Sequence, residues 1–185
     1  FLPLYMNIFY LDKDPKLAAQ YHCDKHVVKM ILESAQLLST AHRVLDGEPG
    51  TYISPGNRTI KCWTIPDYRE DILYKAAHYN HPWAIWPRQG QANYMWLYHL
   101  FVFLCKEYTA RYGKVHMTQI KLEDALVFPP DKCPKAEFTD PPQAMDLYPQ
   151  CKVPGDTVQA YRNYYQEIKS DLAFWNFSLK PYWYN

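Results

Sequence analysis

The chain has 185 residues and a mass of 22.0 kDa, the size of one domain that can bury about two-thirds of the surface its unfolded form exposes. A formal net charge of +1 excludes a protein that holds nucleic acid by overall charge, so any such binding must rest on a local patch. Aromatic residues make up 17% of the chain, well above ordinary usage, and must pack against or stack on something.

The cysteines, Cys23, Cys62, Cys105, Cys133 and Cys151, are odd in number and widely spaced, with no C-x-x-C pair. That argues against a disulfide framework and a cysteine zinc site, and points to a reducing cytoplasm. No stretch approaches the roughly 18 to 20 apolar residues of a membrane span, and the opening FLPLYMNIFYLD lacks the basic start and long apolar run of a signal peptide. Met6 before NIFYLDKDP looks like a natural start, so residues 1–5 read as an extension and residues 6–185 as the domain.

After a strand-like run, Asn7 to Leu11, Asp14 as N-cap and Pro15 in the first turn start a helix. Helix formers continue to Leu45 and Gly47 supplies a left-handed stop, about 30 residues in all, long enough for a kink or an early end. Residues 48–66, rich in proline and glycine, read as a loop with an extended RTIKCW piece. A helix over 67–79 should end at NHPWAIWPRQG, where the residue before Pro82 and the Pro87 to Gly90 cluster resist continuation. A second long helix, Gln91 to Tyr112, is apolar on most sides and stops at Gly113, as a central core helix would. A short helix over 119–126, an irregular proline-rich stretch over 128–155 and a third long helix capped by Asp156 complete the chain. The sum is a single all-α domain of three long helices, short helices and a long proline-rich loop.

The stretch YHCDKHVVKMILESAQ carries the chemistry. On a helical wheel His22, His26, Lys29, Glu33, Gln36 and Thr40 fall within an arc of about 80°. Lys29 and Glu33 can be an ordinary i,i+4 pair on a solvent face. Yet the flanks of this line are largely apolar, and two histidines and a glutamine are unusual on an exposed face, so the wall of a cleft fits better. His22 and His26 at i,i+4 can hold a zinc ion, with His78, His81 or Glu33 as third ligand. Alternatively a histidine beside Lys29 stays neutral near pH 7 and serves as a base that Glu33 orients, with no cofactor. The cofactor-free assignment, with His22, His26, Lys29 and Glu33 as catalytic residues, is the one carried forward.

A second cluster, NHPWAIWPRQGQANY, interleaves Asn80, His81, Arg88, Gln89 and Asn93 with Trp83, Trp86 and Tyr94. It reads either as an aromatic turn packed on the core or as a pocket wall in which Arg88 grips an anion and an aromatic face stacks a flat ligand. In the last helix Arg162 and Lys169 lie seven apart, as a solvated basic face or as phosphate contacts. The substrate-binding candidates are Gln36, Asn80, His81, Trp86, Arg88, Asn93 and Arg162. Phosphate-cradling glycine loops, nucleophile elbows and the zinc deaminase signature are absent from the sequence.

MNIFYLDKDP, HCDKHVVKMILESAQLLSTAHR, NHPWAIWPRQ, EYTARYGKVH and VPGDTVQAYRNYYQEIK resemble segments of a family of small, mostly uncharacterised proteins of tailed phages, over nearly the whole chain after Met6. A weaker similarity is to the phage pyrimidine-dimer DNA glycosylases of the endonuclease V type. It implies an all-α fold and DNA binding, with Lys25, His26 and Lys29 in the place of that family's Arg-Glu-x-x-Arg group. The sequence departs at the catalytic carboxylate position, which is His26, and at the residue after Met6, which is the bulky Asn7. Phages also elaborate thymine in finished DNA, replacing an activated group on 5-hydroxymethyluracil with an amino acid or amine. The resemblance thus implies an enzyme acting on a pyrimidine base of phage DNA in the infected cell's cytoplasm, by transfer onto the base or by its removal. Its partners would be DNA and an amino acid or amine co-substrate. A histidine-ligated metalloenzyme and a non-enzymatic phage protein that binds a host factor or nucleotide are the alternatives.

Overall fold

A computed structural model describes residues 6–185. The reading of residues 1–5 as an extension lies outside them. In chain order the described residues form α1 (Pro15–Tyr21), α2 (Asp24–Asp46), β1 (Glu48–Ile53), β2 (Thr59–Thr64), α3 (Arg69–Ile72), α4 (Pro82–Ile85), α5 (Gln91–Tyr112), α6 (Met117–Leu122) and α7 (Thr157–Glu167). The all-α expectation is therefore wrong: seven α-helices, not three long ones, accompany a two-stranded antiparallel sheet. RTIKCW becomes a hairpin arm because β1 pairs with β2 from Glu48↔Thr64 to Ile53↔Thr59. The turn between them closes with Asn57 in the left-handed region at φ 58°. All six residues of β1 are exposed, so the alternation that marks a half-buried strand is missing from the sequence.

The foreseen 30-residue helix breaks at His22–Cys23, both extended, into α1 and α2. Neither residue is a helix breaker by type, and the break is held from outside. Arg111 of α5 donates to the freed carbonyls of Gln20 and His22 and pairs with Asp24, while the Asp24 amide donates to the Phe174 carbonyl. Gly47 ends α2 in extended rather than left-handed geometry. It is needed for space, since a Cβ there would lie 2.5 Å from the Arg43 carbonyl oxygen. Gly113 does adopt the left-handed stop, at φ 69°. The helix expected over 67–79 shrinks to α3, because Arg43 claims the carbonyls of Glu70, Leu73 and Tyr74 that would have extended it. The last helix closes at Glu167, and residues 168–185 fold back over α1 and α2, where Trp175 donates to the Tyr21 carbonyl.

The core forms between α2 and α5, with Ile31, Leu38, Leu97 and Phe101 fully buried. Residues 6–11 run through it as an extended segment with no strand partner, buried along their whole length. The Asn7 side chain fastens the segment: Nδ2 donates to the Ala144 carbonyl and Oδ1 accepts from the Tyr161 hydroxyl. The proline-rich stretch 128–155 is a strap packed on this segment, fastened to itself by two hydrogen bonds between Gln143 and Val153. No helix of the described residues is long and apolar enough to cross a membrane.

Candidate functional site

The outward face of α2 is Lys25, Val28, Lys29 and Leu32. The predicted polar line lies beside that face and is covered: His22, His26, Glu33 and Thr40 are buried, Gln36 is half-buried and Lys29 is exposed. Its cover comes from the N-terminal segment and α7. Phe9 stacks on the His26 ring with centroids 4.3 Å apart and planes 10° apart, and the Tyr165 hydroxyl lies 2.6 Å from His26 Nδ1. Further along the line, Thr40 bonds the amide and carbonyl of Ala77, just before the second cluster.

His22 sits at the helix break, fully buried. Its Nδ1 lies 2.6 Å from the Ala18 carbonyl, which can only accept, so Nδ1 carries the proton and Nε2 is a bare acceptor. Burial pushes its pKa down to about 4. His26 is held well below the usual histidine range by burial first, then by the fields of His22, Lys169, Lys29 and Lys25. Both rings are neutral near pH 7, as expected from a neighbouring lysine, with burial as the stronger cause.

Glu33 lies one turn after Lys29, its Oε1 3.5 Å from the ammonium, too long for a hydrogen bond. Burial raises its pKa, offset in part by Lys29, the Asn7 backbone amide and Lys169. Two buried acceptors here, His22 Nε2 and Glu33 Oε2, have no hydrogen-bond partner among the described residues. Buried polar atoms without partners are rare in folded proteins and call for an account.

Lys169, which the sequence marks only as half of a basic face, belongs to this group. It follows α7, its amide donating to the Tyr164 carbonyl, and its ammonium lies 5.3 Å from the centre of the Tyr164 ring. Burial and the charge of Lys29 lower its pKa, while Glu33 raises it. Tyr164 and Asn7 in turn line a cleft of about 310 Å³, walled by Met6, His81, Tyr148 and the strap residues 143–147. That volume suits a small ligand. The line of α2 and the cleft thus share a boundary at Asn7 and Tyr164.

Of the predicted binding residues, only His81 lines this cleft. It also caps α4, with Nδ1 accepting from the Trp83 amide. Asn80 is exposed outside the cleft lining. Trp86 is buried, donating to the Thr139 carbonyl, and Asn93 is locked by donating to the Trp86 carbonyl and the Thr139 hydroxyl and accepting from the Thr139 amide. These two hold the strap on the core and are not a pocket wall. Arg88 is half-buried outside the cleft lining, and its Nη1 donates to the Tyr79 and Ala84 carbonyls, tying off the turn. Arg162 sits elsewhere, bonded to the Leu11 carbonyl and to Asp12 and lying over Trp183. Gln36 stays on the line as a half-buried neighbour of Glu33. The metal reading lacks a third ligand: no three His, Cys, Asp or Glu side chains converge among the described residues.

All five cysteines are free thiols. Cys23 is fully buried and takes part in the site, because its amide donates to the Tyr165 hydroxyl and its sulfur lies 3.7 Å from that oxygen. No family model, curated protein or solved structure matches the chain.

Proposed function

We propose that this chain is an enzyme of a tailed phage that acts on a pyrimidine base of DNA in the infected cell's cytoplasm, with the end of α2 as its active site. The observation that carries the reading is the juxtaposition of a neutral His26 and an under-satisfied, buried Glu33 with Lys25, Lys29 and Lys169, beside an aromatic-edged cleft. Sites that move protons shift pKa values by burial and like charge, and sites that grip phosphate gather cations. With a net charge near zero, such a local gathering is the form that DNA contact must take here.

An amine or amino acid nitrogen attacks the 5-methylene carbon of a phosphorylated 5-hydroxymethyluracil, the C–N bond forms, and the C–O bond breaks with its electron pair leaving on the phosphate oxygen. The attacking amine's surplus proton goes to His26 Nε2. That atom carries a lone pair in the tautomer where His26 Nδ1 donates to the Tyr165 oxygen and the Tyr165 proton points to Cys23. Exposed Lys25 and Lys29 offset the charge on the departing phosphate, and Glu33 orients the reacting partner. His22 keeps a second neutral ring behind His26. Removal of the base would use the same groups, with protonated Glu33 or His26 delivering a proton to the departing base.

The test is mass spectrometry of nucleosides after incubating the protein with thymine DNA and with phosphorylated 5-hydroxymethyluracil DNA, plus amino acids and amines. New nucleosides or released bases, lost on His26→Gln, support the reading. Intact DNA under all conditions, with no binding at low salt, contradicts it and favours a non-enzymatic binding protein.

A further inference from the structure

The hairpin of β1 and β2 lies at the C-terminal end of α2, and nothing in the proposed chemistry uses it. All six residues of β1 are exposed, and of β2 only Trp63 is buried. A lone two-stranded ribbon is marginal in water, so this one is held at its base, where Arg43 donates to the Trp63 carbonyl. Its charge is one-sided. No Asp or Glu occurs from Pro49 to Pro66, although 19 of the chain's 185 residues are acidic. Arg58 beside the turn and Lys61 on β2 are the ribbon's own cations, and Lys75 reaches it from the segment after α3. All three are exposed, and among the described residues none is in an ion pair.

The register sorts these charges onto two faces. Thr51 pairs with Lys61 and Tyr52 with Ile60, and paired residues share a face while successive ones alternate, so Lys61 and Tyr52 lie on opposite faces. The Lys61 ammonium lies 5.1 Å from the centre of the Trp63 ring and 5.7 Å from that of Tyr79. The Lys75 ammonium lies 4.8 Å from the centre of the Tyr52 ring, on the other face. A ring holds an ammonium in place without neutralising it. At the far end the turn closes between Ser54 and Arg58, and Ile53 beside it is 62% exposed, an apolar side chain at the tip.

A cation on each face suits a ribbon that stands between two lines of negative charge; a flat anionic surface would meet one face and leave the other cation in water. The grooves of duplex DNA are bounded by two phosphate backbones, and the major groove, about 12 Å wide, admits a two-stranded ribbon. An apolar tip then meets thymine methyl groups or base faces. We infer that the β1–β2 hairpin is an arm that enters a groove of duplex DNA tip first, with Lys61 and Lys75 toward the two phosphate backbones and Arg58 and Ile53 at the base edges. The inference rests on DNA being the partner and adds a surface apart from the reacting groups. Glu33 and Asp46 stand about 20 Å apart along α2 at 1.5 Å per residue, so the arm holds duplex away from the reacting base.

Binding tests this without turnover. A short labelled duplex and its single strand are titrated with the full chain at several salt concentrations and followed by fluorescence anisotropy. The duplex should bind more tightly. Each cation that leaves a phosphate lowers the slope of log affinity against log salt by about 0.9, so Lys61→Gln with Lys75→Gln should lower it by about 1.8 and weaken duplex binding about tenfold. Arg58→Gln alone should weaken it about fivefold or more. Lys16→Gln with Lys114→Gln removes the same charge from exposed positions off the arm and should leave the slope in place. Equal losses from both lysine pairs, unchanged binding in both arm variants, tighter binding of the single strand, or no duplex binding by a folded protein overturns the inference. Nucleoside mass spectrometry on the same DNA reports separately on the proposed reaction.

Discussion

Toward the C-terminal end of α2, Arg43, Arg69 and His42 are buried with their polar groups engaged; toward its N-terminal end, His22 and Glu33 are buried with atoms left over. Arg43 makes five hydrogen bonds, to four carbonyls and the Glu70 carboxylate. Arg69 pairs with Asp67 and Asp46 and donates to His42 Nδ1, which fixes the proton on Nε2. That proton goes to the Tyr94 hydroxyl, and Tyr94 donates to the Leu126 carbonyl. The chain of donors ends in the fold itself. At the other end His22 Nε2 and Glu33 Oε2 remain without partners. Burial is shared, but hydrogen bonding differs: the Arg43 and Arg69 network is finished and holds the structure, while the His22 and Glu33 acceptors are left open, as are the hydroxyls of Ser34 and Ser39 on the same helix.

The contrast is broken most severely at Arg43. Replacing it with Ala strands the carbonyls of Trp63, Leu73 and Tyr74 and frees the Glu70 carboxylate, so urea denaturation should show a loss of about 3–5 kcal/mol. A loss under 1 kcal/mol would mean that the network is not structural. Acid weakens both ends alike. His22 and His42 both have folded pKa values pushed down to about 4 by burial. A lowered folded pKa means that the unfolded chain binds the proton first as pH falls, so stability is full above the unfolded value of about 6.5 and declines down to about pH 4. Each ring contributes a loss of about 3 kcal/mol across that window. Denaturant midpoints measured at half-unit steps of pH should show it, and His42→Gln should remove one share.

How far the sequence disclosed this arrangement depends on what sets each feature. The polar line of α2 was legible because its periodicity is local, and so were the N-cap at Asp14, the stop at Gly113 and the core role of α5. The break at His22–Cys23 was not, because it is held by Arg111 from 89 residues away in the chain. The loss of the helix after Ile72 has the same cause, with Arg43 as the distant donor. RTIKCW was read as extended, but its partner β1 was missed, because a wholly exposed strand has no burial pattern to betray it. Lys169 joined the site, and Trp86 and Asn93 left it, for one reason: residue type announces capacity, while the partner that uses it is set by packing.

Two smaller changes sharpen the comparison. Arg88→Ala removes donors from two carbonyls at a half-buried turn and should lower stability by about 1–2 kcal/mol. It should leave any action on DNA unchanged, as measured by nucleoside analysis. A selective loss of DNA chemistry without destabilisation would place Arg88 in the site. Glu33→Gln should have the smallest effect on stability, below about 1 kcal/mol at neutral pH, because it removes a carboxylate whose charge the fold does not fully satisfy. Its raised pKa gives the sign: charging Glu33 works against folding as pH rises past the unfolded carboxyl value of about 4.3, so the variant gains relative to the native protein there and not below it.

The measurement that tests the central claim most directly is nucleoside mass spectrometry of DNA treated with the native protein and with the equally stable Glu33→Gln variant. The account predicts a modified or released pyrimidine with the native chain and at least a hundredfold less, on the scale of a lost catalytic group, with the variant. The same yield from both would show that the unfinished end of α2 is not where the chemistry happens.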